Sequence, residues 1–385
     1  MRLPSIKQQL TEMVALPSVS SSHAQWDMGN LPVIELLATW LSDLGFETEI
    51  LPLSGAPNKA NLIATLGKGP GGLVLSGHTD TVPYDDTRWA QDPFSLTEKN
   101  NRWYGLGATD MKGFFPVAIE AAREFLDKPL KEPLIILATA DEESSMSGAQ
   151  ALVELGRPKA RHAVIGEPTG LTPIRAHKGI AMESIRVQGL AGHSSNPGLG
   201  KNAMETMHRV ISELMDFRTY LQRTYQNPLF SVEVPTLNLG HIHGGDNPNR
   251  ICGHCELHFD IRPLPGMPMD ELHGLLHSRI QHVSEECDMP VYLESLFPGV
   301  PAFEESEHSD LVKTLERLTG HSAEAVAFAT EAPHLQKLGM QTVVMGPGSI
   351  DQAHQPDEFI ELSQIQPAVN VLKQLIAQYC LGEEQ

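Results

Sequence analysis

Three acids stand together where an apolar strand should end. The stretch "PLIILATADEESS" runs from Pro133 to Ser145, unbroken and apolar at first, and then gives Asp141, Glu142 and Glu143. Like charges at close quarters cost free energy unless a cation compensates them. A solvated loop is the plain explanation; a bound cation is the chemical one, and it needs ligands elsewhere. Four further segments supply candidates. "LVLSGHTDTVP" ends an apolar run with His78 and Asp80, and "YGLGATDMKG" carries Asp110 in a glycine-flanked loop ahead of a helix. "HAVIGEPTG" ends a run with Glu167, and "GPGSIDQAHQPDEF" places His354 after a strand and a glycine turn.

Histidine with three or four carboxylates suits two divalent cations about 3.5–4 Å apart, an arrangement that activates water for hydrolysis. Carboxylate-rich sites accept zinc, cobalt or manganese. Neighbouring residues at a strand end point in different directions. Glu142 and Glu143 are therefore not both expected as ligands; one binds and the other faces the reacting water.

The elements around these residues alternate between helix and strand. "SIKQQLTEMVAL", "LPVIELLATWLSDLG" and "GFFPVAIEAAREFL" have helical spacing. "NLIATL", "GLVLSG", "PLIILATA" and "HAVIG" are short apolar strands, and strands separated by helices predict a largely parallel sheet covered by helices. Ligands of such sheets gather outside the carboxyl ends of the strands, where all five segments put their polar residues. Between about residues 179 and 295 the order becomes β-α-β-β-α-β, that of a ferredoxin-like unit. The expected architecture is an α/β domain made of residues 1–178 and 296–385, with a smaller α+β domain, residues 179–295, inserted in it.

The chain has 385 residues, 28 Lys plus Arg and 48 Asp plus Glu, for a formal charge of −20. That excess of acid disfavours nucleic acid and anionic membranes as partners. No segment reads as a signal peptide or a membrane span, so a cytoplasmic protein is expected. Its 4 cysteines are too few and scattered for a disulfide framework. "CGHCELH" offers Cys252, His254, Cys255 and His258, but there is no second Cys-x-x-Cys and the spacing is not that of a zinc finger.

Taken together, "SGHTDTVP", "GLGATDMKG", "ATADEE", "GEPT" and "GPGSIDQAHQPDE" closely resemble the M20 family of dinuclear zinc amidohydrolases. "RAHKG", "GHSSNP", "DIRPLPGM" and "ATEAP" extend the likeness over almost the whole chain. The resemblance implies a catalytic domain with an inserted lid, dimerisation through the lid, and hydrolysis of an N-acetyl amino acid. It implies one metal held by His78, Asp110 and Glu167 and a second by Asp110, Glu143 and His354, with Asp110 bridging. Asp80 would orient His78, Glu142 would be the general base, and His193 would reach the oxyanion from the partner subunit. Asn249 and Arg262 match lid residues that contact substrate. For His193 a surface position, and for Arg262 a charge on an exposed strand face, are the competing explanations. Glu331, in "ATEAPH", is expected either to meet a substrate ammonium or to serve as a helix-terminal acid.

Overall fold

The computed structural model describes residues 4–381. These form two compact units: residues 4–175 with Glu305–Glu324 and residues 330–381, and Ala176–Glu304 with Ala325–Ala329.

At the centre of the first unit lie four parallel strands, in the order Leu134–Thr139, Leu73–His78, His162–Pro168 and Gln341–Gly346. Every residue of the first three is buried, which is why they read as continuous apolar runs. Helices cover this sheet, among them Leu31–Asp43, Phe114–Ala122 and Leu362–Ile376. The helix that follows Asp110 comes very close to the sheet. A Cβ on Gly166 would lie 2.1 Å from the Phe114 ring, so only glycine fits the position before Glu167.

One edge departs from the expected parallel order. Glu47–Leu53 and Ala56–Leu66 form an antiparallel hairpin, and the second strand joins Leu134–Thr139 antiparallel. Only Ser54 and Gly55 connect the two strands, with Gly55 at φ +78°, and so short a link cannot make a parallel crossover. Glu47–Leu53 has a mixed exposed pattern and carries no apolar run that would mark it as a strand.

A separate three-stranded antiparallel sheet joins Thr97–Lys99, Arg102–Tyr104 and Phe359–Glu361. It ties the segment leading to Asp110 to the segment that follows His354.

The second unit runs strand Ala181–Gln188, helix Ala203–Thr224, strands Thr236–Gly244 and His254–Arg262, helix Met269–Glu286 and strand Val291–Ser295. Its four strands form one antiparallel sheet. Along His254–Arg262, Cys255, Leu257, Phe259 and Ile261 face the core shared with the two helices, while His254, Glu256, His258 and Asp260 alternate with them. All four cysteines are free. Among the described residues, no helix is long and apolar enough to cross a membrane.

The amino end of the sheet, away from the metal-capable residues, carries a titrating group. His162 is buried, stacks on Tyr379 with ring centroids 3.9 Å apart, and leaves Nδ1 without a partner. Burial, opposed by Asp310, pushes its pKa down to about 4. An unfolded histidine titrates near 6.5. The folded pKa is depressed, so the neutral form's contribution is full above about 6.5 and is lost as pH falls towards 4. His334, also pushed by burial to about 4, acts in the same direction. Unfolding free energy should therefore fall between pH 6.5 and 4, each histidine adding at most about 1.4 kcal/mol per pH unit. His162→Gln should shallow that slope in urea titrations; an unchanged slope would remove His162 from the account.

Candidate metal centre

His78 is the last residue of its strand, and Glu167 is the last residue but one of the neighbouring strand. The acidic turn follows Thr139, and His354, at φ +59°, follows the strand that ends at Gly346. Asp110 stands on the loop between Tyr104 and Phe114. The fold thus gathers residues from five segments at one sheet edge.

Asp110 is their meeting point. Its Oδ1 lies 3.1 Å from His78 Nε2 and its Oδ2 3.4 Å from His354 Nε2. His78 Nε2 is 4.0 Å from Glu167 Oε1, and His354 Nε2 is 3.0 Å from Glu143 Oε2. The donor atoms of His78, Asp110 and Glu167 lie within 4.8 Å of one another, as do those of Asp110, Glu143 and His354. The same holds for His78, Glu142 and Glu143, so Glu142 stands within reach of the same space.

Asp80 meets His78 through both its main chain and its carboxylate. His78 Nδ1 bonds the main-chain oxygen of Asp80 at 3.0 Å, whereas the nearest Asp80 carboxylate oxygen is 3.7 Å away. The carboxylate also reaches the acidic turn, where Oδ2 accepts the Glu143 N–H at 3.1 Å. A carbonyl partner at Nδ1 keeps a proton there, so the proton that His78 gives up on binding a cation is the one on Nε2, which faces Asp110 and Glu167.

The charges explain themselves only in company. Burial, with Glu167 and Glu143 added and His78 opposing, pushes Glu142 well above the ordinary carboxylate range. Burial and Asp110 do the same for Glu167. Burial opposes protonation of His78, but Asp110, Asp80, Glu167 and Glu142 outweigh it and hold its pKa well above normal. Hydrogen bonds to Asp110 and Glu143 raise His354 to about 10. In Asp110, burial is overcome by the two histidines, which keep it ionised.

Glu331 begins the helix Ala332–Lys337, yet its side chain does not cap that helix. It is 1% exposed; Oε2 accepts a hydrogen bond from Thr139 Oγ1 at 2.9 Å, while Oε1 has no partner. Burial, opposed by His78, raises its pKa to about 7.

In the second unit, His193 and Asn249 come together. His193 pairs with Arg250, and the Ser194 N–H donates to the Asn249 carbonyl. Both residues are exposed. Arg262 Nε bonds Asp260 at 2.9 Å, so a substrate carboxylate there would compete with an existing ion pair.

Two further residues near the centre were not among the candidate site residues. Glu358 is buried and accepts the N–H groups of Gly107, Thr109 and Asp110 at 2.9, 2.7 and 2.9 Å. The Asp110 loop is therefore moulded around a carboxylate four residues beyond His354. Lys59 bonds Asp141, the first of the three acids, so Asp141 is not free to bind metal.

The donor set fits divalent cations. It is all imidazole nitrogen and carboxylate oxygen, with Asp110 offering one oxygen to each histidine side. Two buried carboxylate oxygens, Asp80 Oδ1 and Glu331 Oε1, lack partners in the same region. Ligation requires deprotonated donors and so displaces protons. Adding divalent metal to the stripped protein near neutral pH should release protons into weak buffer and raise Tm. A titration with neither effect would refute the site.

Comparison with known proteins gives the family and the fold. Residues 74–378 match the model of peptidase family M20/M25/M40. The chain is 48% identical over 380 residues to the acetylornithine deacetylase of Pectobacterium carotovorum subsp. carotovorum (strain PC1), covering 99% of each. In structure it resembles an M20 family metallo-carboxypeptidase from Sulfolobus solfataricus, with TM-score 0.77 and 19% identity over 97% of this chain and 99% of that one. It also resembles a dinuclear metal binding peptidase of the M20 family from Bacillus subtilis, with TM-score 0.65 and 14% identity over 96% of each chain. A family match over most of the chain and a full-length relative lead to one conclusion: the chain belongs to peptidase family M20/M25/M40.

Proposed function

We propose that the protein hydrolyses N2-acetyl-L-ornithine to L-ornithine and acetate, a step of arginine biosynthesis. The observation that carries this reading is the 48% identity, spread over 99% of the chain, to relatives named for that activity. Two divalent ions per chain, zinc or else cobalt or manganese, would be held by His78, Asp110 and Glu167 and by Asp110, Glu143 and His354. When bound, such ions lower the pKa of a water and polarise a carbonyl.

The chain's own groups do the rest. Glu142, beside the ligands but not needed to complete either set, takes the proton of the attacking water and delivers it to the departing amine. His193 donates to the oxyanion, from the partner subunit of a homodimer formed through the second unit. Arg262 and Asn249 bind the α-carboxylate end; an arginine fork suits that group. Glu331, with an unpartnered carboxylate oxygen, is the candidate for the side-chain ammonium, which would have to reach a buried group. Four free cysteines suit a reducing cytoplasm.

The test of the reading is a steady-state assay of acetylornithine against succinyl-diaminopimelate and acetylmethionine, on protein of measured metal content. Acetylornithine should have the highest kcat/KM; a clear preference for either competitor would reassign the substrate. Glu142→Ala should keep its metal while kcat falls about 10²–10⁴-fold. Glu143→Ala should lose metal, and the opposite pattern would exchange the two roles. Glu331→Gln should lower kcat/KM for acetylornithine by about ten-fold or more, as for a desolvated ion pair broken on one side, and spare acetylmethionine. An unchanged ratio between the two substrates would take Glu331 away from the ammonium.

A further inference from the structure

The acidic turn is held from behind by a buried cation. Lys59 lies on the strand Ala56–Leu66 and is 7% exposed. Its Nζ donates to Asp141 Oδ1 at 2.7 Å and to Asp27 at 2.8 Å. Asp141 is gripped further by hydroxyls: Ser20 Oγ donates to Oδ1 at 2.8 Å and Ser147 Oγ to Oδ2 at 3.0 Å. The main-chain oxygen of Asp141 accepts the N–H groups of Ser145 and Met146 at 3.0 and 2.6 Å. The residue itself stands at φ +59°, a conformation disfavoured without glycine. Asn61, on the same strand as Lys59, closes the mouth of the turn by bonding Ala140 N–H and the Gly148 carbonyl.

This grip bears unequally on the next two residues. Glu143 is tied down independently, its N–H by Asp80 and its carboxylate by His354. For Glu142, no described residue donates a hydrogen bond to the side chain. Its place follows from the backbone at Asp141, whose carboxylate is held by Lys59, Ser20 and Ser147, with Lys59 the one cation among them. Removing the lysine leaves two carboxylates, Asp141 and Asp27, without their shared cation, and a buried charge stripped of its partner rearranges its surroundings.

We propose that Lys59 is a positioning residue for hydrolysis: through Asp141 it sets the direction of the Glu142 carboxylate. The inference rests on the reading of Glu142 as the general base. Lys59 touches neither substrate nor ligands; it acts on the approach of one proton-transferring group. Displacing a reacting group by about 1 Å can cost on the order of 10²-fold in rate.

The experiment compares Lys59→Met in two backgrounds, at a temperature well below each Tm and with metal content measured. In the otherwise native chain, kcat for acetylornithine should fall about 10–100-fold, with KM changed less than about two-fold and metal content unchanged. In the Glu142→Ala background the same substitution should cost less than about two-fold, because residues acting through one group are not additive. An equal loss in both backgrounds would make Lys59 a stability residue only, and full activity of Lys59→Met or loss of its metal would equally overturn the proposal. If Lys59→Met does not fold, Ser147→Ala loosens the same carboxylate without stranding a charge and should show the same non-additivity on a smaller scale. A native chain that hydrolyses none of the N-acyl amino acids fails the functional reading itself. A native chain that hydrolyses one, with equal losses in both backgrounds, fails only this inference.

Discussion

Mutual repulsion among carboxylates at one sheet edge is the constraint that the rest of the first unit answers. Asp80, Asp110, Glu142, Glu143, Glu167 and Glu331 are brought together with only two imidazoles among them, and several are buried. Such a cluster costs free energy in isolation. It is tolerable because burial and neighbouring acids favour the neutral forms of Glu142 and Glu167, because the acids favour the charged forms of His78 and His354, and because the donor set suits divalent cations. Asp110 is central: one carboxylate oxygen faces each histidine, so one residue connects the two ligand groups.

Geometry is maintained by backbone as much as by side chains. The Asp110 loop wraps Glu358 through three amides, and the same strand segment leads back to His354. The acidic turn is held by Asp80 at Glu143 and by Lys59 at Asp141. Glycine before Glu167 lets the Phe114 ring press against the sheet directly under the site. These contacts tie the loops at the strand ends to one another and to the sheet, which suits a centre in which small displacements are costly.

Much of this was legible from residue order. Buried parallel strands announce themselves as continuous apolar runs, and polar residues just beyond His78, Thr139 and Glu167 mark their carboxyl ends. The antiparallel edge was not legible, because Glu47–Leu53 is half-exposed and shows no apolar run. Lys59 and Glu358 were not legible either. The lysine in "PNKANL" lies in no motif, and the acid ending "GPGSIDQAHQPDE" shows no partner in the sequence; only the fold brings one onto Asp141 and the other under the Asp110 amides. The main-chain oxygen of Asp80 stands closer to His78 Nδ1 than its carboxylate does, a difference that side-chain type cannot reveal. In the second unit, the nearness of His193 and Asn249 comes from a loop pairing across many residues and has no local signature.

If Asp110 serves both ligand groups, neither can be completed without its carboxylate, and the metal stoichiometry of Asp110→Asn decides the point. Stripped native and variant chains would be titrated with zinc, followed by calorimetry and by elemental analysis after dialysis. The account predicts two tightly held ions per native chain and loss of tight binding at both sites in a variant that remains folded. A folded Asp110→Asn chain that keeps one ion at native affinity would contradict the account, because one group would then be complete without the shared carboxylate.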